Sequence, residues 1–124
     1  MAKITIDVSA KFVVFRVTGN ASFNELIVAI EEHYPSIIHP NIIWNFTEGA
    51  LPKVTANQFR KIPAIVKDSS SRDRKVGLTA FVCPDDATYG MFRLYITHAE
   101  IGGLPYQYNV YRRFEDAANW MNEE

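Results

Sequence analysis

The chain has 124 residues, a formal net charge of −1, 48% hydrophobic residues and 22% charged residues, proportions that suit a folded soluble domain and not a disordered segment. That length supports one domain, residues 1–124, with its own core, and the near-neutral balance argues against bulk attraction to nucleic acid. No run approaches the ~18 apolar residues a membrane-spanning helix needs, and a single cysteine, Cys83, excludes an internal disulfide framework and fits a reducing compartment.

At the amino terminus Ile4, Ile6 and Val8 alternate with Thr5 and Asp7, which predicts a half-buried strand and not a signal peptide. A cytoplasmic protein is expected. Ser9-Ala10-Lys11 is short enough for a hairpin, and Phe12 to Thr18 forms a second, more buried strand. Ser22 and Glu25 spell a capping box, opening a helix with Phe23, Leu26, Ile27 and Ile30 inward and Glu31 and Glu32 outward. Tyr34-Pro35 ends it.

The third strand, Ile42 to Phe46, is apolar almost without a break, as in a strand buried on both faces. Glu48 to Val54 follows as a Gly/Pro loop, and Thr55 caps a second helix with Ala56, Phe59, Ile62 and Val66 inside. Pro63 within that pattern predicts a kink or an early stop. After the polar loop 68–73, Val76 to Val82 forms a fourth strand. Cys83-Pro84-Asp85-Asp86 starts a third helix, about Asp86 to Ile101, with Met91, Leu94, Tyr95 and Ile101 inward, and Gly102-Gly103 stops it. Tyr106 to Arg112 is a fifth strand, and Phe114 to Asn122 a last helix with Ala117, Trp120 and Met121 inside.

The order ββαβαβαβα predicts an α/β domain. A five-stranded mixed sheet carries four helices, with an antiparallel amino-terminal hairpin and the remaining strands parallel through right-handed crossovers.

Several stretches resemble one family. Ile43-Trp44-Asn45-Phe46 ends a strand in a polar turn, and 76–82, 89–95 and Val110 to Ala117 with Trp120 follow the pattern of the strand, helix and closing strand–helix of the STAS superfamily. More narrowly the chain resembles its bacterial stand-alone SpoIIAA-like (STAS/SEC14-like) group. The resemblance covers nearly the whole chain and implies a non-enzymatic, regulatory protein-interaction domain. Its better-known branch is phosphorylated on a serine at the start of the second helix, within Asp-Ser-Ser-Gly. Here the matching stretch is Lys53-Val54-Thr55-Ala56, so the phosphoserine switch does not carry over. The SEC14-like side implies an alternative, a carrier or sensor for a small apolar or lipid-like ligand, with Phe92 and Tyr95 lining a pocket of some hundreds of cubic ångströms.

On such a topology the carboxyl ends of the strands gather Thr47, Glu48, Lys53, Thr55, Asp85, Asp86 and Arg112, with Arg60 and Lys61 close by. Ordinary caps and turns account for residues of these types, and a polar recognition patch for a partner or a phosphorylated ligand is the alternative. The stretch 53–75 holds seven basic residues against Asp68 and Asp73, about +5 against −6 elsewhere, which is either a solvated helix face with a charged loop or a contact surface for an acidic partner or an anionic head group. Tyr106 and Tyr108 share a face of the fifth strand, an expected edge, and form a candidate partner or homodimer surface. No Ser-His-Asp grouping, phosphate loop or paired carboxylates are spelled out, and His33, His39 and His98 lack metal-ligand spacing. No catalytic residue, metal or cofactor is expected.

Overall fold

The alternating amino terminus folds as a hairpin, closed by Ser9, whose N–H donates to the Phe12 carbonyl at 3.0 Å and whose hydroxyl accepts the Phe12 N–H at 3.2 Å. The structure is a computed structural model that describes residues 2–70, 77–101, 103 and 106–123. Its elements are β1 (Lys3–Val8), β2 (Val13–Asn20), α1 (Phe23–His33), a 3-10 turn at Tyr34–Ser36, β3 (Ile42–Ala50), α2 (Ala56–Ser69), β4 (Gly77–Val82), α3 (Asp86–Ile101), β5 (Tyr106–Tyr111) and α4 (Phe114–Glu123). The sheet order is β1-β2-β3-β4-β5. β1 pairs antiparallel with β2 and every other pairing is parallel, the expected mixed sheet and element order.

Both helix starts read from the sequence are formed. Ser22 and Glu25 make the reciprocal capping box of α1, at 3.2 and 3.0 Å. Thr55 caps α2, and Gln58 completes a second box at 3.2 and 2.9 Å.

Two apolar layers sandwich the sheet. On one face Phe15, Trp44, Phe46 and Phe81 meet Leu26, Ile30, Phe59, Ile62, Val66, Phe92 and Tyr95 from α1, α2 and α3. On the other, Val14, Ile43, Ala80 and Val82 meet Ala117 and Met121 of α4. The larger core is largely aromatic. Phe15 stacks on Trp44 at 4.3 Å and Phe81 on Phe92 at 4.2 Å, with Phe59 edge-on to Phe92 at 5.3 Å. The one polar atom of Trp44, its indole N–H, donates to the Tyr34 hydroxyl at 2.9 Å, so its burial leaves no orphan donor.

The structure corrects four expectations. Pro63 does not stop α2, which continues to Ser69 with Phe59, Ile62, Pro63 and Val66 all buried, so packing outweighs the missing hydrogen bond. Ala56 is exposed at the helix start and not part of the inner face. In α3 the buried line is Thr88, Phe92, Tyr95 and Ala99, while Met91 and Leu94 lie at its margins and Ile101 is exposed. That helix is apolar on most sides, so its periodicity does not fix its rotation; the stacking of Phe92 on Phe81 does. Val76, Gly102 and the 71–75 part of the basic stretch lie outside the described residues.

The fourth correction matters most for the site. β3 runs on through Thr47 and then through Glu48, Gly49 and Ala50, residues expected in the loop. Its register against β2 jumps from Arg16↔Asn45 to Thr18↔Glu48, so Phe46 and Thr47 together oppose Val17. This is a β-bulge. Asn45, buried in the strand, accepts hydrogen bonds from both the N–H and the hydroxyl of Thr47 and so steadies the irregular step. Beyond it Gly49 passes close to β2, where an added Cβ would lie 2.6 Å from the Val17 carbonyl oxygen.

Gly49→Ala should therefore destabilise the fold by about 1–3 kcal/mol, as overpacking does. Gly90→Ala, in α3 where an added Cβ meets nothing within 4 Å, should stabilise it by up to ~1 kcal/mol. Urea unfolding midpoints of the two variants check the pair.

Candidate functional site

The bulged end of β3 delivers its chain to a loop fastened from inside. Ala50 accepts the Ala21 N–H at 2.9 Å, Leu51 and Val54 are buried, and the Val54 N–H donates to the Leu51 carbonyl at 3.4 Å. With both apolar residues of this short loop turned inward, Pro52 and Lys53 are left exposed. Thr55 follows as the α2 cap, and Arg60 and Lys61 stand exposed early in the same helix. No carboxylate of the described residues forms an ion pair with Lys53, Arg60 or Lys61. Thr47 and Glu48 are exposed as well, but on the extended strand and not in a loop.

On the β4–β5 side the same edge is internally paired. The Asp85 carboxylate accepts the Thr88 N–H and hydroxyl, each at 2.9 Å, and is the working cap of α3. Those bonds, the backbone one first, hold its pKa below the usual carboxylate range. Arg112 donates to the Pro84 carbonyl at 3.1 Å, pairs with Asp86, and lies over the Tyr89 ring at 4.1 Å. Of the groups expected at this edge, Arg112 and Asp86 are thus paired with each other, and Asp85 is engaged by Thr88. Cys83 is buried between these groups, its N–H donating to the Tyr111 carbonyl at 2.7 Å. Desolvation pushes its thiol pKa far up, Arg112 pulling slightly the other way and Asp85 adding to the rise. A thiol held protonated is a core side chain and not a nucleophile.

The tyrosine strip takes a different place. β5 is an edge strand, but Tyr106 is buried and Tyr108 half-buried. Both point into the helix layer, where Tyr108 meets Phe81 at 6.3 Å and Tyr95 at 5.7 Å. An alternating strand whose one face carries α3 must turn these rings inward, so they do not form the exposed strip expected. Phe92 and Tyr95 do line an internal cavity with Leu26, Ile62, Thr79 and Tyr108, but it measures about 30 Å³, room for a water molecule or two. His39 is a tie, its ring bonding the Ala10 carbonyl at 3.2 Å and accepting the Asn41 N–H at 3.0 Å. Among the described residues no three His, Cys, Asp or Glu side chains are grouped to hold a metal.

Asn45, Gln58 and Tyr89 were not among the site residues expected from the sequence, although Asn45 and the 89–95 stretch carry part of the family resemblance. The spacing Thr-x-x-Gln at 55–58 is the capping-box signature and could have revealed Gln58. Asn45 and Tyr89 depend on a bulge and a strand-end arginine that only the folded chain brings together.

In sequence the chain matches no protein-family model and no curated protein. In structure it is similar to an anti-sigma factor antagonist from Mycobacterium paratuberculosis, with TM-score 0.60 and 12% identity over 98% of this chain and 95% of that one. The anti-sigma factor antagonist SpoIIAA in its unphosphorylated form matches with TM-score 0.58 and 14% identity over 98% of both chains. The chain has the SpoIIAA-like fold. A Shewanella loihica protein of the DUF3478 family, described with the same SpoIIAA-like fold, matches with TM-score 0.54 and 16% identity over 97% of this chain and 93% of that one. Among the described residues no helix is long and apolar enough to cross a membrane.

The capped carboxylates set a pH dependence. Asp85 has a folded pKa below its unfolded value, so the stability it contributes is complete above the ordinary aspartate pKa of about 3.9 and lost as pH falls through the lower folded value. Asp85→Asn keeps a capping oxygen without the titration. The gap in thermal midpoint between wild type and Asp85→Asn should therefore narrow as pH falls below about 4. A gap that widens instead would contradict the assignment of the cap.

Proposed function

We propose that this chain is a non-enzymatic, cytoplasmic protein-interaction domain of the regulatory STAS type, which docks an acidic partner on the α2 side of the carboxyl edge and works without a phosphoserine switch. One observation supports this reading: Lys53, Arg60 and Lys61 are exposed around the start of α2 with no carboxylate of the described residues paired to them, whereas a short way along the edge Asp85 is bonded to Thr88 and Asp86 to Arg112. Unneutralised cations beside an anchored loop steer an acidic surface and fix its register. The SpoIIAA-like fold, shared with two anti-sigma factor antagonists, agrees with a binding role. Thr55 is explained by its cap, and the Asp and Ser-Gly that would mark a switch serine are missing around it.

A partner recovered by affinity capture with the full chain allows the decisive measurement, a salt series of association rates. Exposed charges are screened beyond about 8 Å at physiological ionic strength, so association should slow steeply with added salt. Arg60→Glu with Lys61→Glu should slow it about tenfold while hardly changing stability. Salt-independent rates, equal in both proteins, would overturn the reading. Thr55→Ala should cost about 1 kcal/mol as a lost cap and leave partner binding intact; stoichiometric phosphothreonine at Thr55 in protein from its native host would contradict that.

A second reading, a carrier of a small apolar or lipid-like ligand, rests on the cavity beside Phe92 and Tyr95. At about 30 Å³ it is far below the roughly 300–1,000 Å³ of ordinary ligand sites, so uptake would require the helix layer to part from the sheet. Native mass spectrometry separates the two: a tightly held apolar ligand favours the carrier, and its uptake should ignore the Arg60 and Lys61 reversal.

A further inference from the structure

The two edges of the sheet are finished differently. Along β5 the Asn109 side chain accepts the Val110 N–H at 2.9 Å and donates to the Tyr111 hydroxyl at 2.9 Å, and α3 overlies the tyrosines. Side-chain bonds and an overlying helix are ways of blunting an edge. β1 has no proline, glycine or bulge, and pairs with β2 without interruption over all six of its residues. Its parity is fixed. Ser9 and Phe12 stand opposite each other and the Ser9 N–H bonds Phe12 O at 3.0 Å, so Asp7, Thr5 and Lys3 direct their backbone groups to β2. The N–H and C=O groups of Ile4, Ile6 and Val8 then point out of the sheet.

Beside this edge lie three of the large apolar side chains the structure leaves most open, Val8 at 76%, Ile38 at 66% and Val28 at 50% exposed. They line two shallow grooves on the helix side of β1. One, about 320 Å³, has Ala2, Ile4, Val28 and Ala29 in its wall; the other, about 280 Å³, has Ile6, Val8, Ile37 and Ile38.

We propose that β1 pairs antiparallel with β1 of a second copy of this chain, about a two-fold axis at Thr5, joining two five-stranded sheets into one. The sequence of the strand is self-complementary in that register. Lys3 falls opposite the second copy's Asp7 on the open face, Ile4 opposite Ile6 and Ala2 opposite Val8 on the helix face, and Thr5 opposite itself. Each Ile4–Ile6 pairing exchanges both N–H···O bonds, because those are the outward groups. The open Val8 and Ile38 of one copy come against the Ala2–Val28 groove of the other, and the reverse, as an isologous contact requires. Sliding the register by two residues would break the Lys3–Asp7 match and leave apolar side chains uncovered. Asp7 also pairs with Arg16 at 3.7 Å on the same open face, so Lys3 would join an existing exposed pair.

The test uses the full chain with charge-changed variants. Lys3→Asp gives like charges across the axis, and so does Asp7→Lys; each alone should weaken self-association about tenfold or more in sedimentation equilibrium. Mixed in equal amounts, the two variants restore opposite charges at both places and should form a heterodimer in preference to either homodimer. Both positions are exposed, and circular dichroism confirms that each variant is folded. Independently, Thr5→Cys should give a disulfide-linked dimer under mild oxidation. The Thr5 pair is of the non-hydrogen-bonded kind, with Cα atoms about 4.5 Å apart, within disulfide reach, while Cys83 is buried. Wild type that stays monomeric to about 1 mM overturns the proposal, as does a dimer that ignores both charge changes or leaves Thr5→Cys unlinked.

Discussion

Five consecutive residues of β3, Ile42 to Phe46, are buried, and both layers of the molecule are built against them. A strand can bury both faces only as the centre of a sheet covered on each side. Trp44 and Phe46 serve the three-helix face, and Ile43 serves the α4 face. The polar cost of that burial is met locally. Tyr34 accepts the indole N–H, and Thr47 donates twice to the amide oxygen of Asn45. Tyr34 belongs to the 3-10 turn after α1, so the same hydrogen bond also ties the end of the first crossover to the strand it leads into.

The bulge opposite Val17 marks where the buried strand turns into a surface one. Up to Asn45 β3 pairs on both sides; beyond it only the pairing with β2 continues. β3 can therefore project past β4, and the loop that follows begins farther out than a five-residue strand would allow. Leu51 and Val54 then hold that loop down. Lys53 lies in this loop and Arg60 and Lys61 follow in α2, while at the start of α3 Asp86 is paired with Arg112 and Asp85 is held by Thr88.

The element order, the mixed sheet and both principal helix starts were legible in the sequence because each rests on a local signal: an alternation, a capping residue, an unbroken apolar run. What was not legible depended on contacts far along the chain. Glu48 to Ala50 look like loop residues, and only pairing with Thr18 to Asn20 makes them strand. α3 is apolar around most of its circumference, so its rotation had to wait for Phe81. Tyr106 and Tyr108 alternate as an edge strand should, but alternation does not say which face receives the helix. Arg112 read as a free cation because Asp86 and Tyr89 lie more than twenty residues earlier in the chain.

The strands stand in the sheet in the order in which they occur in the chain. Every crossover after the hairpin therefore steps in the same direction, and right-handedness places α1, α2 and α3 side by side on one face. In doubly wound sheets the chain at some point reverses its direction of travel, and the two loops that diverge there open the crevice in which cofactors and substrates lodge. This sheet never reverses. The crevice that such a reversal opens therefore has no counterpart along the carboxyl ends of these five strands.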